Sequence, residues 1–274
     1  MGCRFLGISR QAHYQGEQAA RERVRQEAEV LARVRDIRQE QPRIGTRKLH
    51  YLLRGNLAEH SIKLGRDQLF ALLRQHRMLI VPQRAYHKTT LSHHRFYRHP
   101  NLLKPGPGQV VPQGPEQVWV SDITYLPTRE ETTYLSLVTD AYSRKIVGYH
   151  VDRHMQTVAV GRALKMALRQ RRGDAPLVHH SDRGIQYCSA EYQALHAKHG
   201  LTCSMTDGYD CYQNALAERV NGILKEEFLL HRPRNLDEAR KLVKEAIRIY
   251  NEKRPHLSLQ YKTPDAVHRA FLKS

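Results

Sequence analysis

The chain has 274 residues, a mean hydropathy of −0.65 and a net charge of +18, with a pI near 10.0. It contains no apolar run of about 18 residues or more, which excludes a transmembrane helix, and its first residues lack the apolar core of a signal peptide. Its four cysteines form no CxxC pair, which argues against a structural zinc site and a disulfide framework and predicts a cytoplasmic protein.

The positive charge is unevenly distributed along the chain. Residues 1–114 carry a net charge of +13, whereas residues 115–274 carry +5. Such an excess of positive charge predicts a polyanionic partner. We therefore expect residues 1–114 to bind nucleic acid and residues 115–274 to carry an activity that depends on carboxylates. A ribosomal or membrane-surface protein would not explain why the acids cluster in the second part.

Residues 1–80 are predicted to form a basic helical region. An apolar line from Val24 to Ile37 at helical spacing indicates a helix over residues 17–40, Thr46 is predicted to be the N-cap of a second helix, and Gly65 is predicted to begin a third. The last two helices, over about residues 44–80, fit a helix-turn-helix-like unit, although small basic bundles share this pattern. Four side chains of this unit are predicted to contact DNA: Arg47, Lys48, Arg66 and Gln68.

Residues 81–114 are rich in proline, which forbids long regular elements. We interpret them as a basic linker that follows a phosphate backbone through Arg84, Lys88 and Arg95. The linker also contains histidines, but no cysteine pair completes a metal site, so solvated or phosphate-contacting histidines are the preferred interpretation.

Residues 115–274 are predicted to form an α/β domain. Three β-rich runs from Val118 onward indicate an antiparallel meander, and two further strands end near Asp182 and Met205. Helices are predicted over residues 155–171, 189–200, 213–230 and 235–251, followed by an irregular tail. This order describes a mixed sheet with helices on both faces.

The helix over residues 213–230 has one apolar stripe, from Leu216 to Phe228. Glu218 and Lys225 both lie roughly 180–200° from that stripe, so they share the opposite face. Taken alone, such a face is typical of a solvated surface.

Two upstream aspartates change that interpretation. Asp122 stands in an apolar strand, where a charge is costly without a partner, and Asp182 ends a strand, where α/β proteins expose functional groups. If Glu218 joins them, three carboxylates require a cation, and oxygen ligands favour Mg²⁺ or Mn²⁺. Two such ions, roughly 3.5–4 Å apart, support phosphoryl transfer.

Three segments, WVSDITY, HSDRG and NALAERVNGILKEE, resemble the signatures of the Asp-Asp-Glu transposases and retroviral integrases. As in the integrase-like branch, 35 residues separate Asp182 from Glu218, and Lys225 stands seven positions after Glu218. Within that branch the chain most resembles the second-frame (OrfB-type) transposases of two-frame bacterial insertion sequences. RIGTRKLHYLL, TDAYSRKIVGY and YNEKRPHLSLQYKTP extend the resemblance to both ends of the chain.

The resemblance implies a ribonuclease-H-like domain with a five-stranded mixed sheet. It implies that Asp122, Asp182 and Glu218 are catalytic and hold two Mg²⁺ (or Mn²⁺) ions. The expected reaction is nicking at the ends of the element, followed by strand transfer by the freed 3′-hydroxyl. Lys225 is expected to contact the DNA backbone near the scissile phosphate. Four further residues are expected to support the site: Trp119, Thr124, His180 and Asn214.

The implied partners are double-stranded DNA, at the element ends and at the target, and further copies of the chain in a homo-oligomer. An upstream-frame partner protein or a frameshift fusion is also expected, and the protein is expected to be nucleoid-associated rather than bound to a membrane.

Some residues depart from this pattern or lie outside it. The family often has an acidic residue where this chain has Gln213, while Asp140 is expected to be structural and to pair with Arg144. His179 on its own would be a packing or polar residue. A non-catalytic DNA-binding regulator and a nuclease of the same fold remain as alternatives. The intact triad argues against the first, and the 35-residue spacing and Lys225 argue against the second.

Overall fold

The computed structural model describes residues 9–81, 99–207 and 214–271. The chain divides into two compact units, residues 1–82 and residues 83–274. Within the described ranges, no helix is both long enough and apolar enough to cross a membrane.

Residues 9–81, the described part of the first unit, form three helices, α1 (Arg10–Glu40), α2 (Thr46–Glu59) and α3 (Arg66–Gln75). Helix α1 begins earlier than predicted, because the Ser9 hydroxyl caps it by accepting a hydrogen bond from the Ala12 N–H. The apolar line predicted from Val24 begins instead at Val30, since Val24 is 66% exposed. The core that joins the helices consists of aliphatic side chains: Val30, Leu31, Val34, Ile44, Leu49, Leu53, Leu57, Ile62, Leu69, Leu72 and Leu73.

The caps of α2 and α3 differ in how far they match the sequence prediction. The prediction that Thr46 is the N-cap of α2 was wrong. Gly45 occupies the N-cap position in an extended conformation, and Thr46 is the buried first residue of the helix. Gly65 caps α3 as predicted. The connection between the helices, residues 60–65, is longer than the roughly three- to four-residue turn of a helix-turn-helix motif.

The second unit is built on a five-stranded sheet with the order β3-β2-β1-β4-β5. Its strands are β1 (Val118–Pro127), β2 (Thr132–Asp140), β3 (Ile146–Asp152), β4 (Val178–Ser181) and β5 (Thr202–Met205). Strands β1, β2 and β3 pair antiparallel, whereas β4 runs parallel to β1 and β5 runs parallel to β4. The predicted mixed five-stranded sheet is confirmed.

Helices cover both faces of this sheet. One face packs against α4 (Thr157–Gln170), α5 (Ile185–Cys188) and α6 (Ala190–Lys198) through a core that includes Trp119, Leu164 and Tyr192. The other face packs against α7 (Ala215–Ile223) and α8 (Leu236–Glu252) through a core that includes Leu135, Ile223 and Val243. Helix α7 continues into a π-helical turn, Leu224–Phe228.

Of two segments predicted to be irregular, the tail contains regular elements, whereas residues 99–114 contain neither helix nor strand, as predicted. The tail forms a short 3₁₀ turn, Leu257–Leu259, and a helix, α9 (Pro264–Phe271), so the prediction of a wholly irregular tail was wrong. Proline at the first position of a helix loses no hydrogen bond, and it is compatible with this start. Residues 99–114, in the second half of the predicted linker, run along the sheet edge: the Pro100 carbonyl accepts a hydrogen bond from the Met205 N–H.

Candidate active site

Asp122 lies in the middle of β1, on the sheet face that packs against α7. Side chains alternate along a strand, so Trp119 and Ile123 point into the core under α4, whereas Asp122, Thr124 and Leu126 point the other way. Asp122 is half-buried there. The strand therefore presents one carboxylate to the helix that carries Glu218.

Asp182 follows directly after β4, the parallel neighbour of β1. The last paired residues of the two strands are Val120 and His180. Asp122 and Asp182 each stand two positions beyond that pair, so the register brings the two aspartates side by side at the same level of the sheet. The Asp182 Oδ1 accepts a hydrogen bond of 3.0 Å from the Gly184 N–H, which orients the loop after the strand.

Two asparagines attach α7 to β1 beside Asp122. Asn214, at the N-cap position of α7, donates from Nδ2 to the Ser121 carbonyl at 3.1 Å. Asn221 donates from Nδ2 to Oδ2 of Asp122 at 2.8 Å. Both asparagines are buried, whereas Glu218 lies between them on the exposed side of the helix. These bonds hold the helix that bears Glu218 against the strand that bears Asp122.

The three carboxylates influence one another electrostatically. Burial, together with the charges of Asp182 and Glu218, raises the pKa of Asp122 to about 7, and the Asn221 hydrogen bond opposes the increase. Burial and then the Asp182 charge raise the pKa of Glu218. Burial lowers the pKa of Lys225, while the nearby Asp122 carboxylate acts in the opposite direction. Mutual repulsion of this kind is relieved by a bound cation.

The donors fit a hard divalent cation in their chemistry, since all three side chains offer carboxylate oxygens. Among the described residues, however, no group of three or more His, Cys, Asp or Glu side chains lies close enough to hold a metal ion as positioned. The three carboxylates are electrostatic neighbours in this arrangement.

Besides Asn214, three residues were predicted to support the site, and each of them lies in a different environment. Trp119 is fully buried on the opposite face of the sheet from Asp122, so it packs beneath the site and does not reach the acids. Thr124 is buried on the same face as Asp122. His180 is fully buried and its Nδ1 lies 2.8 Å from the Ser204 hydroxyl, which also accepts the Leu102 N–H. His180 therefore joins β4 to β5 and to the segment after residue 99.

A second buried chain of polar groups lies under the site, on the α6 side of the sheet. His179 Nε2 is 2.7 Å from the Ser121 hydroxyl, and His179 Nδ1 is 3.2 Å from Nε2 of His196. Burial lowers the pKa of His179 well below its usual value and lowers that of His196 to about 4. Both rings are therefore neutral at pH 7. The hydrogen bonds that link Ser121, His179 and His196 position the backbone of β1 next to Asp122.

Asn221 contacts the predicted site residue Asp122, but the sequence prediction did not include it among the site residues. The available signal was its position three residues after Glu218, on the flank of the line from Glu218 to Lys225. Asp140 is structural as predicted, but its partners differ from the prediction. Its carboxylate accepts hydrogen bonds from the Ser143 N–H and hydroxyl and from the Glu116 N–H, whereas the Arg144 side chain bonds to the Ala141 carbonyl.

The predicted DNA-contacting residues of the first unit are mostly exposed. Arg47 is exposed, Lys48 is half-buried, and Arg66 pairs with the adjacent Asp67 at 3.0 Å. The Gln68 side chain already forms a hydrogen bond within the protein, because its Oε1 accepts a hydrogen bond from the Gly65 N–H at 2.7 Å. Four further residues lie outside the described residues: Arg84, Lys88, Arg95 and Gln213.

Comparison with known proteins identifies the family. The integrase core domain matches residues 112–211 and, in a second model, residues 199–264. The chain is 38% identical to the insertion element IS600 uncharacterized 31 kDa protein of Shigella sonnei, over 98% of both chains. It is 32% identical to transposase InsF for insertion sequence IS3A of Escherichia coli (strain K12), over 82% of this chain and 77% of that protein. The chain belongs to the integrase-core transposases of insertion sequences.

The fold of this transposase is shared with solved integrases. A chain of the cryo-EM structure of the simian T-cell lymphotropic virus intasome, in complex with PP2A regulatory subunit B56 gamma, superimposes with a TM-score of 0.50 at 18% identity. The match covers 82% of the transposase and 74% of that chain. The ribonuclease-H-like fold that the sequence implied is confirmed.

Proposed function

We propose that this transposase cuts and joins DNA at Asp122, Asp182 and Glu218, and that these carboxylates hold two Mg²⁺ (or Mn²⁺) ions. The observation that carries the proposal is the electrostatic coupling of three acids from three different elements, β1, the end of β4 and α7. An uncompensated cluster of this kind destabilises a fold, and functional sites are where such perturbed groups collect. The reaction is a polynucleotidyl transfer.

When bound, the ions supply activation of the attacking water or 3′-hydroxyl and stabilisation of the leaving oxygen. The side chains of the transposase prepare the site for them. Asn221 favours the ionised form of Asp122 and fixes one of its oxygens. Asn214 fixes the start of α7 against β1, so that Glu218 faces the aspartates. No side chain acts as a nucleophile, because water and the DNA 3′-hydroxyl fill that role.

Lys225 is proposed to contact a phosphate of the DNA beside the acids. Its side chain is exposed, and its ammonium group is attracted by Asp122, so its charge lies on the side of the site where a scissile phosphate enters. A phosphate contact positions the backbone without selecting a base sequence.

The first unit, residues 1–82, is proposed to hold double-stranded DNA through the basic surface of α2 and α3. Residues 1–114 carry most of the net positive charge of the chain, which supports a phosphate-binding role for this part. A homo-oligomer on DNA and an upstream-frame partner or fusion are further elements of the proposal, and both rest on the resemblance to two-frame insertion sequences.

The test is strand transfer of a labelled element end in Mg²⁺. We expect Asp182→Asn and Glu218→Gln to abolish both cutting and joining while DNA binding is retained. Asp237→Asn is a matched control, because Asp237 is an exposed carboxylate on α8 that pairs only with Arg240 in the described structure. Equal activity of Asp182→Asn and wild type would refute the catalytic assignment. Activity that survives a chelator would refute the metal assignment separately.

A further inference from the structure

The segment YNEKRPH contains a cluster of polar and charged side chains that the proposed mechanism does not use. Arg254 is 2% exposed, and its guanidinium forms a two-pronged pair with Glu227, at 2.7 Å from Nε and 2.6 Å from Nη2. A buried arginine fork on a carboxylate defines geometry as well as supplying charge compensation. Such a pair deep in a domain calls for an explanation beyond stability.

The neighbours of Arg254 hold it rigidly. Its third nitrogen, Nη1, lies 3.0 Å from Nε2 of His256, and its guanidinium carbon lies 5.9 Å from the centre of the Tyr250 ring. Tyr250 is fully buried and donates its hydroxyl proton to the Arg144 carbonyl at 3.0 Å. Asn251 bonds to both the N–H and the carbonyl of Ile146, each at 2.9 Å. Arg254 is thereby anchored to the turn between β2 and β3.

Glu227, the partner of Arg254, belongs to the π-helical turn Leu224–Phe228 that also carries Lys225. The turn closes with a hydrogen bond of 2.8 Å from the Leu229 N–H to the Leu224 carbonyl. Single π-helical turns are rare and occur frequently at functional sites. Residues two positions apart point to roughly opposite sides of a helix, so Glu227 faces Arg254 while Lys225 faces the acids.

We propose that Arg254 is a positioning residue for Lys225. By binding Glu227, Arg254 fixes the π-helical turn, and the fixed turn directs the Lys225 ammonium group towards the DNA phosphate beside Asp122. The inference rests on the proposed role of Lys225 in the function above. It assigns a purpose to the YNEKRPH segment, which carries both Arg254 and the neighbouring His256.

The first measurement is the salt dependence of binding to a short double-stranded DNA by the full chain. Each phosphate contact contributes about one unit to the slope of log K against log salt. Lys225→Ala is expected to reduce the slope by about one. Arg254→Lys keeps the charge of the chain but loses the fork, and it is expected to reduce the slope by a similar amount. Arg248→Lys is the control, since Arg248 pairs with Glu245 and Glu252 on the exposed side of α8.

The second measurement is strand transfer in a double-mutant cycle. Misplacing a reacting or binding group by about 1 Å costs on the order of 10²-fold in rate, so Arg254→Lys and Glu227→Gln are each expected to slow strand transfer by roughly 10- to 100-fold. In a Lys225→Ala background, either change is expected to have little additional effect. Circular dichroism melting of each variant establishes that the folded fraction is the same as in the wild type at the assay temperature.

The outcomes separate this inference from the function on which it rests. If Lys225→Ala leaves the salt slope unchanged, the proposed role of Lys225 fails, and the positioning role fails with it. If Lys225→Ala lowers the slope but Arg254→Lys does not, only the positioning role is overturned. The positioning role is also overturned if the double variant shows the product of the two single effects on the strand-transfer rate. The Arg254–Glu227 pair would then act independently of Lys225. Should Arg254→Lys not fold, Glu227→Gln alone decides between these results.

Discussion

Asn221 donates a hydrogen bond of 2.8 Å to the Asp122 carboxylate, across the junction between helix α7 and strand β1. This bond opposes the burial and the neighbouring charges that raise the pKa of Asp122 to about 7. Asn221 thus favours the ionised form of an acid on a different element, and we expect the pH dependence of the reaction to reflect this hydrogen bond.

Replacement of Asn221 by leucine is expected to raise the pKa of Asp122 above about 7. Hydrogen bonds to charged groups contribute about 1.5–3 kcal/mol, and one pKa unit corresponds to about 1.4 kcal/mol, so the acidic limb of the pH–rate profile should move upward by about one to two units. Strand transfer measured from pH 6 to about 9 tests this shift. Asn214→Ala provides the contrast: Asn214 bonds to the Ser121 carbonyl, so its loss should lower the rate without displacing the limb. If the acidic limb of the Asn221→Leu profile coincides with that of the wild type, Asn221 does not control the pKa of Asp122 during the reaction.

Asp122→Asn is expected to stabilise the metal-free transposase at alkaline pH. The folded-state pKa of about 7 exceeds the usual value of 3.8, so the folded protein holds a proton that the unfolded chain releases. The contribution of Asp122 to stability therefore falls as the pH rises from about 4 to 7. In chelator at pH 8, the variant should exceed the wild type by on the order of 1–3 kcal/mol in urea unfolding, a value reduced for partial exposure. Near pH 4 the two should coincide.

Asp140→Asn is the matched comparison for Asp122→Asn. Asp140 is a fully buried strand carboxylate with three hydrogen-bond donors, so its replacement should destabilise the domain at both pH values. Added Mg²⁺ is expected to stabilise the wild type and to have a smaller effect on Asp122→Asn. A metal effect of equal size in both proteins would argue against Asp122 as a ligand.

Ile223→Asp is expected to unfold the second unit. Ile223 is 7% exposed and packs in the core between α7 and α8, so a charge there would cost more than about 3 kcal/mol. Loss of the cooperative thermal transition by circular dichroism is the measurement. Ala215→Asp is the control on the same helix: Ala215 is exposed at the first position of α7, where a negative charge is favourable. It should change stability by no more than about 0.5 kcal/mol.

Gly148→Ala and Gly161→Ala are expected to have opposite effects on stability. A Cβ at Gly148 would fall on the Ala163 carbonyl oxygen and within 2.9 Å of the Ala167 Cβ, because α4 crosses β3 at this point. The strain should cost about 1–3 kcal/mol. At Gly161 the nearest atom to a new Cβ is 3.9 Å away, and a helix interior gains about 0.5–1 kcal/mol from alanine. Chemical denaturation of both variants measures the difference in sign.

Most of the second unit could be predicted from the sequence, because strand alternation and helical spacing are strong there. The elements that carry Asp122, Asp182 and Glu218 follow from periodicity, and the family resemblance assembles them into one site. The role of Asn221 could not be derived in this way, since a hydrogen bond to another element depends on how α7 is placed on β1. The π-helical turn was missed for a related reason: its sequence, LKEEF, continues the helical pattern without interruption.

Local rules also failed where tertiary contacts outweigh them. Thr46 is a favourable capping residue, yet it is buried inside the first unit and Gly45 takes the cap. Prolines led to an irregular interpretation of the tail, which was wrong, and of residues 81–114, whose described part contains no helix or strand. However, the segment from residue 99 is attached to β5 through Pro100 and Leu102, and Pro264 begins a helix. A proline constrains its own backbone but does not prevent its neighbours from packing.

The bonds between Asn251 and Ile146 have a consequence for self-association. Strand β3 is at the edge of the sheet, where unpaired backbone groups are a template for adding a strand from another chain. Asn251 occupies both backbone groups of Ile146 near one end of that strand, and the Arg240 side chain bonds to the Val151 carbonyl near the other. A second copy would have to displace these side chains before it could extend the sheet. The edge is therefore protected against edge-to-edge aggregation of the transposase.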